Sequence, residues 1–289
     1  MNNKAKKQIG IIVNTLRGDP ACILKNIKKI LKKYNIEPII IDYDISTYMN
    51  IKKAIRKLKD VSMLISIGGD GTLLSALKIA IKYDISVLPI YNGTLGFISE
   101  IPPNEAYMIL NEYLEGKKTL YEIEPRTLLS VSLYSTNKKV IKEYLAVNEL
   151  VLSKCSGRAI YINIMISGKL ISSIVADGVV IATPTGSTAY ALSAGGPILS
   201  PSIDAISFVP IAPHSLTFRP LVIPKHDTIE LELTEKSLKA MVIIDGYDIC
   251  QFKNYDKIKA KISDKNCYIF QSANRLFYDI LRNKLNWGR

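Results

Sequence analysis

Through its first third the chain alternates short apolar runs with stretches whose apolar residues recur at helical spacing. Ile9–Val13 is followed by Asp19-Pro20, an N-cap with proline at the first helical position. Ile23, Ile27, Ile30, Leu31 and Tyr34 then fall on one helix face. Pro38–Ile41, Val61–Ile67 and Ser86–Ile90 predict further strands, and Ile51–Leu58, Leu73–Ile81 and Pro103–Leu114 predict helices. Strands that alternate with helices predict a parallel sheet covered on both faces, a Rossmann-like α/β domain. Such sheets bind ligands beyond the carboxyl ends of their strands.

After Gly116 the pattern changes, and from about Tyr121 the chain is β-rich. Leu128–Tyr134, Val140–Leu152, Ala159–Ser167 and Lys169–Ala176 are strand candidates, with Ser167-Gly168-Lys169 as a hairpin turn. Ile206–Ile211, Leu221–Ile223, Thr228–Leu233, Ala240–Ile244, Ile258–Ile262 and Cys267–Phe270 continue the series. Asn274–Lys284 returns to helix, with Leu276, Phe277, Ile280, Leu281 and Leu285 apolar. A lone helix behind a β domain must bury that face, and packing back onto the first domain is expected. The division read from the pattern is an α/β domain at 1–118, a β-rich domain at 119–270 and a returning helix at 271–289. There is no internal repeat and no low-complexity linker.

The 289 residues, 48% of them hydrophobic, suffice for two cored domains. No apolar run approaches the ~20 residues of a spanning helix. The opening Met1 to Lys7 lacks the apolar core of a secretory signal, so a cytoplasmic protein is expected. Cys22, Cys155, Cys250 and Cys267 are widely spaced and only His214 and His226 accompany them, so no metal site is expected from these residues. The cysteines read as buried small apolar residues of a reducing compartment. The net charge of +12 is spread over helix faces such as Lys25, Lys28, Lys29, Lys32 and Lys33. That reads as solvated surface that also attracts polyphosphates, and no nucleic-acid partner is expected.

Residues 68–72 read Gly-Gly-Asp-Gly-Thr, at the end of the Val61–Ile67 run and just before a helix. Strand, glycine turn and helix point backbone N–H groups and a positive helix end at an anion. A loop meant only to cradle phosphates has no use for Asp70 at its centre. The acid makes sense if it handles a proton or hydroxyl near the phosphate, or shares a divalent cation with it. The first reading is therefore phosphoryl transfer to an alcohol; the plain structural alternative is Asp70 as a helix N-cap.

Other nucleotide and hydrolase signatures fail. Gly168-Lys169 is followed by Leu170, so there is no P-loop. Gly69-Asp70-Gly71 reaches Leu74 where a dinucleotide fingerprint needs glycine, and no nucleophile elbow occurs. Three further clusters favour the ligand reading. Asn92-Gly93-Thr94-Leu95-Gly96-Phe97 makes a second glycine loop. Asn148-Glu149, at the end of a strand-like run, sets an amide beside a carboxylate, a pair suited to an adenine edge and ribose hydroxyls. Asp177-Gly178, Thr183 to Tyr190 and Ser193 to Pro197 are rich in small hydroxyl residues and glycines. That composition suits close backbone approach to a ligand better than a core. Tyr190 either stacks on a base or packs inside.

These pieces, in this order, closely resemble the NAD kinase family. His214 to Pro220 and the ending Leu281 to Gly288 match as well, so the resemblance spans nearly the whole chain. The 68–72 turn is shared with lipid kinases and phosphofructokinases, whereas Thr183 through Tyr190 is specific. The resemblance implies ATP- and Mg²⁺-dependent phosphorylation of the 2′-hydroxyl of the adenosine ribose of NAD. It also implies an α/β domain followed by a β-sandwich with a final helix packing on the first domain, and a homodimer or homotetramer. Matched by position, Asp70 is the proton acceptor. Asp70, Gly71, Asn148, Glu149, Arg158, Asp177, Thr188, Ala189, Tyr190, Ala191, Leu192 and Ser193 contact NAD, while Gly68, Gly69 and Thr72 border the triphosphate. Asp245-Gly246-Tyr247 departs from the family's more usual Asp-Gly-Gln or Asp-Ser-Gln. Two rivals remain, a lipid or sugar kinase and a non-catalytic dinucleotide sensor. Neither explains both the acid at 70 and the 183–197 loop.

Overall fold

The computed structural model describes residues 8–16, 18–42, 58, 60–134, 140–237, 239–253 and 256–286. The chain divides into two compact units: Met1–Pro125 with Cys267–Arg289, and Arg126–Asn266.

The first unit opens with β1 (Gln8–Val13), α1 (Pro20–Lys33) and β2 (Ile39–Asp42). There follow β3 (Val61–Ile67), α2 (Asp70–Tyr83), β4 (Ser86–Ile90) and α3 (Pro103–Glu115). The helix expected over Ile51–Leu58 lies, but for Leu58, outside the described residues. The strands run parallel in the order β2-β1-β3-β4. Next to β4, also parallel, come Tyr268 and Ile269 of the long strand near the chain's end. Ile23, Ile27, Ile30 and Leu31 of α1 are buried against Ile9, Ile11, Met63 and Ile65, each such side chain contributing about 1.5–3 kcal/mol. Asp19 caps α1 by accepting from the Cys22 N–H at 3.2 Å, with Pro20 behind it, as the sequence predicts.

The second unit is a β-sandwich. Its strands are β5 (Tyr121–Tyr134, begun in the first unit), β6 (Val140–Ala146), β7 (Glu149–Lys154), β8 (Ile160–Ile166), β9 (Lys169–Ala176) and β10 (Gly178–Ala182). A short helix α4 (Tyr190–Ser193) precedes β11 (Ala205–Ile211), β12 (Leu221–Pro224), β13 (Ile229–Leu233), β14 (Lys239–Ile244), β15 (Tyr247–Lys253) and β16 (Lys257–Ser272). One antiparallel sheet runs β12-β11-β10-β7-β14-β15. Opposite it, β13 joins β8 and the first part of β16, and β9 flanks β8. Leu150, Ile181 and Val242 from one sheet meet Ile162, Leu231 and Ile258 from the other in a single core. The remaining helix α5 (Phe277–Leu285) belongs to the first unit and buries Ile280 and Leu281.

Four sequence expectations need correction. Val140–Leu152 is two strands, broken at Val147 and Asn148, so Asn148 lies in the break and Glu149 begins β7 instead of ending a run. Ile258–Ile262 and Cys267–Phe270 are parts of the single strand β16. The cysteines are not uniformly buried. Cys22 and Cys155 are exposed, Cys250 is half-buried and Cys267 is buried, and none of the four forms a disulfide. Finally, the hydroxyl-rich string reads as poor core material, yet Thr183, Thr185 and Ser187 are buried.

Candidate active site

In the first unit the loops after β1, β3 and β4 meet at the carboxyl ends of the parallel strands. Asn14 donates its N–H to Ile67 O at 2.9 Å, and Gly68 donates to Ile90 O at 2.9 Å. The Asn14 amide reaches Thr72 Oγ1 at 3.4 Å, while Asn92 Oδ1 accepts from the Asp19 N–H at 3.1 Å. Gly68 is needed for this closeness, since a β-carbon there would fall 2.4 Å from Thr72 Oγ1. Asn14 and Ser99, whose hydroxyl donates to Gly68 O at 3.0 Å, escaped the sequence reading. An asparagine ending a strand just ahead of a turn was the only available signal.

Helix α2 begins at Asp70 itself, three residues earlier than the apolar spacing suggested. Its N-cap is Gly69, and no side chain caps it. The N-cap alternative for Asp70 is therefore not realised. The carboxylate instead takes three successive main-chain N–H groups of the second glycine loop. Oδ2 accepts from Phe97 at 2.9 Å, and Oδ1 accepts from Ile98 at 3.2 Å and Ser99 at 2.9 Å. Charge-assisted bonds of this kind are about twice as strong as neutral ones. Nothing lies within 4 Å of where β-carbons on Gly69 and Gly71 would stand. Neither glycine has a left-handed φ. No internal contact explains them, so the space over the helix N-terminus is open to an anion.

In the second unit Asp245 does for Asn148-Glu149 what Asp70 does for 97–99. Asp245 and Gly246 have φ 48° and 78° and link β14 to β15 with Ile244 opposite Tyr247. This is the two-residue Asp-Gly hairpin that the strands' twist prefers. The buried Asp245 carboxylate accepts from Val147 at 3.1 Å, Asn148 at 2.8 Å and Glu149 at 3.3 Å. The break between β6 and β7 is thus fixed by an acid almost a hundred positions away.

Thr183 completes the fixing. Its hydroxyl donates to Val147 O at 2.6 Å and accepts from the Gly186 N–H at 3.0 Å, while its own N–H donates to Asn148 O at 2.9 Å. A β-carbon on Gly186 would stand 2.0 Å from Asn148 O, so only glycine fits. Ser187 Oγ ties Pro184 O at 2.6 Å to the Leu199 N–H at 2.9 Å. The hydroxyl-rich string is largely scaffold, and exposure starts at Thr188. Thr188, Ala189 and Leu192 are half-buried, and Tyr190 and Ser193 are exposed. Ala191 is buried against Val180 and Val209. With 45% of its surface exposed, Tyr190 is not a core side chain. Asp177 pairs with Lys154 at 2.7 Å, and Arg158 is exposed in the turn after β7.

A parallel sheet whose glycine loops surround a fixed carboxylate under open space is the framework of a nucleotide-dependent phosphotransferase. Residues 9–118 match the ATP-NAD kinase N-terminal domain, and residues 147–272 match the ATP-NAD kinase C-terminal domain. The chain is 33% identical over 290 residues to the NAD kinase of Sulfurimonas denitrificans, with 100% of each covered. It is 36% identical over 272 residues to that of Aquifex aeolicus, covering 92% of this chain and 97% of the relative. In fold it resembles yeast NADH kinase complexed with NADH, with TM-score 0.85 at 23% identity over 99% of this chain and 89% of that one. It also resembles the Archaeoglobus fulgidus NAD kinase in complex with ATP, with TM-score 0.71 at 24% identity over 96% and 97%. The chain belongs to the ATP-NAD kinase family, whose reaction is ATP-dependent phosphorylation of NAD. Among the described residues no helix is long and apolar enough to cross a membrane.

Proposed function

We propose that the chain transfers the γ-phosphoryl group of ATP to the 2′-hydroxyl of the adenosine ribose of NAD, giving NADP and ADP. The observation that carries this reading is the held carboxylate of Asp70 beside the open glycines 69 and 71. An ionised carboxylate offers about four acceptor positions. Oδ1 has two N–H donors and Oδ2 has one, so Oδ2 retains a position for a substrate hydroxyl. As the ribose oxygen bonds to phosphorus and the bond to the β–γ bridging oxygen breaks, the hydroxyl proton passes to Asp70 Oδ2. A ribose hydroxyl is a poor nucleophile, and positioning supplies much of the rate.

Gly68, Gly69 and Thr72 border the triphosphate, with N–H groups at the start of α2 offsetting its charge. Magnesium enters as the counter-ion of the ATP substrate, held by the phosphates. The NAD contacts of this reading are Asp70, Gly71, Asn148, Glu149, Arg158, Asp177 and Thr188 to Ser193. NADP biosynthesis in the cytoplasm by a homodimer or homotetramer completes the reading.

The test is NADP formation from ATP and NAD, followed with an NADP-specific dehydrogenase. Asp70→Asn keeps the size and removes the base, so turnover is expected to fall by ~10²–10⁴. Full turnover in that variant would sink the assignment.

A further inference from the structure

Helix α5, at the far end of the chain, reaches the loop that grips Asp70. Lys284 Nζ donates to Leu95 O and stands 5.8 Å from the centre of the Phe97 ring. Two links away, the Phe97 N–H donates to Asp70 Oδ2, the oxygen assigned above to the substrate proton. Gly96, between the two contacts, packs directly on the Asp70 carboxylate. One cation therefore holds the loop on both sides of the glycine that the acid touches. A carbonyl bond and a cation–π contact made by a half-buried ammonium are together stronger than either on an open surface.

We propose that Lys284 is a positioning residue for phosphoryl transfer, fixing loop 95–97 so that Asp70 Oδ2 faces the attacking hydroxyl. The inference rests on Asp70 as the proton acceptor. The plainer alternative is a lysine in the last turn that merely complements the helix dipole. Arg282, exposed in the same turn, serves as the control for that effect.

Steady-state kinetics of Lys284→Met, Lys284→Arg, Arg282→Met, Asp70→Asn and the Asp70→Asn/Lys284→Met double variant test the proposal. Misplacement of a reacting group by about 1 Å costs up to ~10²-fold. Lys284→Met is therefore expected to lower kcat by about 10- to 100-fold, with KM for ATP and NAD changed less than about twofold. Lys284→Arg should restore most of the loss, and Arg282→Met should leave kcat unchanged. In the Asp70→Asn background Lys284→Met should cost less than about twofold, because the group it aims is already gone. If Lys284→Met fails to fold, Lys284→Gln, which keeps a donor for Leu95 O, enters the same comparison. An unchanged kcat, a change confined to KM, or an equal loss with and without Asp70 would each overturn the proposal. Full turnover of Asp70→Asn alone would mark the failure as that of the base assignment.

Discussion

A β-carbon on Gly96 would lie 2.0 Å from Oδ1 of Asp70. Glycine and acid are complementary in shape. The side chain absent at 96 leaves the room in which the carboxylate meets three N–H donors. Gly96→Ala must push the carboxylate out or lift the loop. Overpacking of this kind typically costs 1–3 kcal/mol. Turnover should fall about 10²-fold even in protein that remains folded by circular dichroism. Activity equal to the parent protein would show that the carboxylate's place is not critical.

Gly71 should behave in the opposite way towards stability. It sits in the first turn of α2 with open space where a β-carbon would stand. Gly71→Ala should raise stability by ~0.5–1 kcal/mol, seen as a higher Tm, because alanine is the better helix former. KM should nevertheless rise about tenfold, since the methyl occupies the space assigned to substrate. A stabilised variant with unchanged KM would remove Gly71 from the site.

Asp245 is the brace of the Asn148-Glu149 turn. Asp245→Ala strips an acceptor from three N–H groups of buried residues, and each buried group left unmet costs ~1–3 kcal/mol. Asp245→Asn keeps one oxygen and tolerates the left-handed φ of 48°, so it should be milder. Urea unfolding should rank parent, Asn and Ala in that order of falling stability. KM for NAD should rise in the same order.

Tyr190 offers a contact that the core does not use. Tyr190→Ala should leave the unfolding midpoint within ~0.5 kcal/mol of the parent, as an exposed position does. Loss of stacking should raise KM for NAD about tenfold, since an aromatic–base stack is worth ~1–3 kcal/mol. Tyr190→Phe should retain it. A large stability loss in Tyr190→Ala would make the ring structural.

The thiols should separate by environment. Cys22 and Cys155 are exposed, whereas burial pushes the Cys250 thiol above its ordinary pKa and Cys267 is enclosed. Less thiolate at neutral pH means slower reaction. Titration with an aromatic disulfide should show 2 fast equivalents, with Cys250 following only as the pH rises.

Much of this was legible in the chain, and the failures share a cause. Helix α1 was readable to its cap because Asp19, Pro20 and the isoleucine spacing are local signals. The break at Val147 was not, because Asp245 satisfies those N–H groups from the opposite end of the domain sequence. Strand β10 went unseen because all its residues are buried, so no alternation marks it. Edge strand β15 went unseen because Asp248, Gln251 and Lys253 interrupt its apolar residues and only Phe252 is buried. The hydroxyls of Thr183 and Ser187 suggested a ligand surface, yet buried main-chain groups satisfy them. In the site, the glycines and Asp70 stood out by spacing. That the acid is held by the second glycine loop needed coordinates.

The first unit is assembled from both ends of the chain: Tyr268 and Ile269 extend its sheet, and α5 supplies Lys284 to its loops. During synthesis the amino-terminal strands emerge long before Tyr268 and Ile269, the neighbours that extend their sheet. Catalytic competence should therefore wait until the residues from 267 through α5 have been made, and a message stopped before them should yield a product whose first-made unit lacks a strand and a helix.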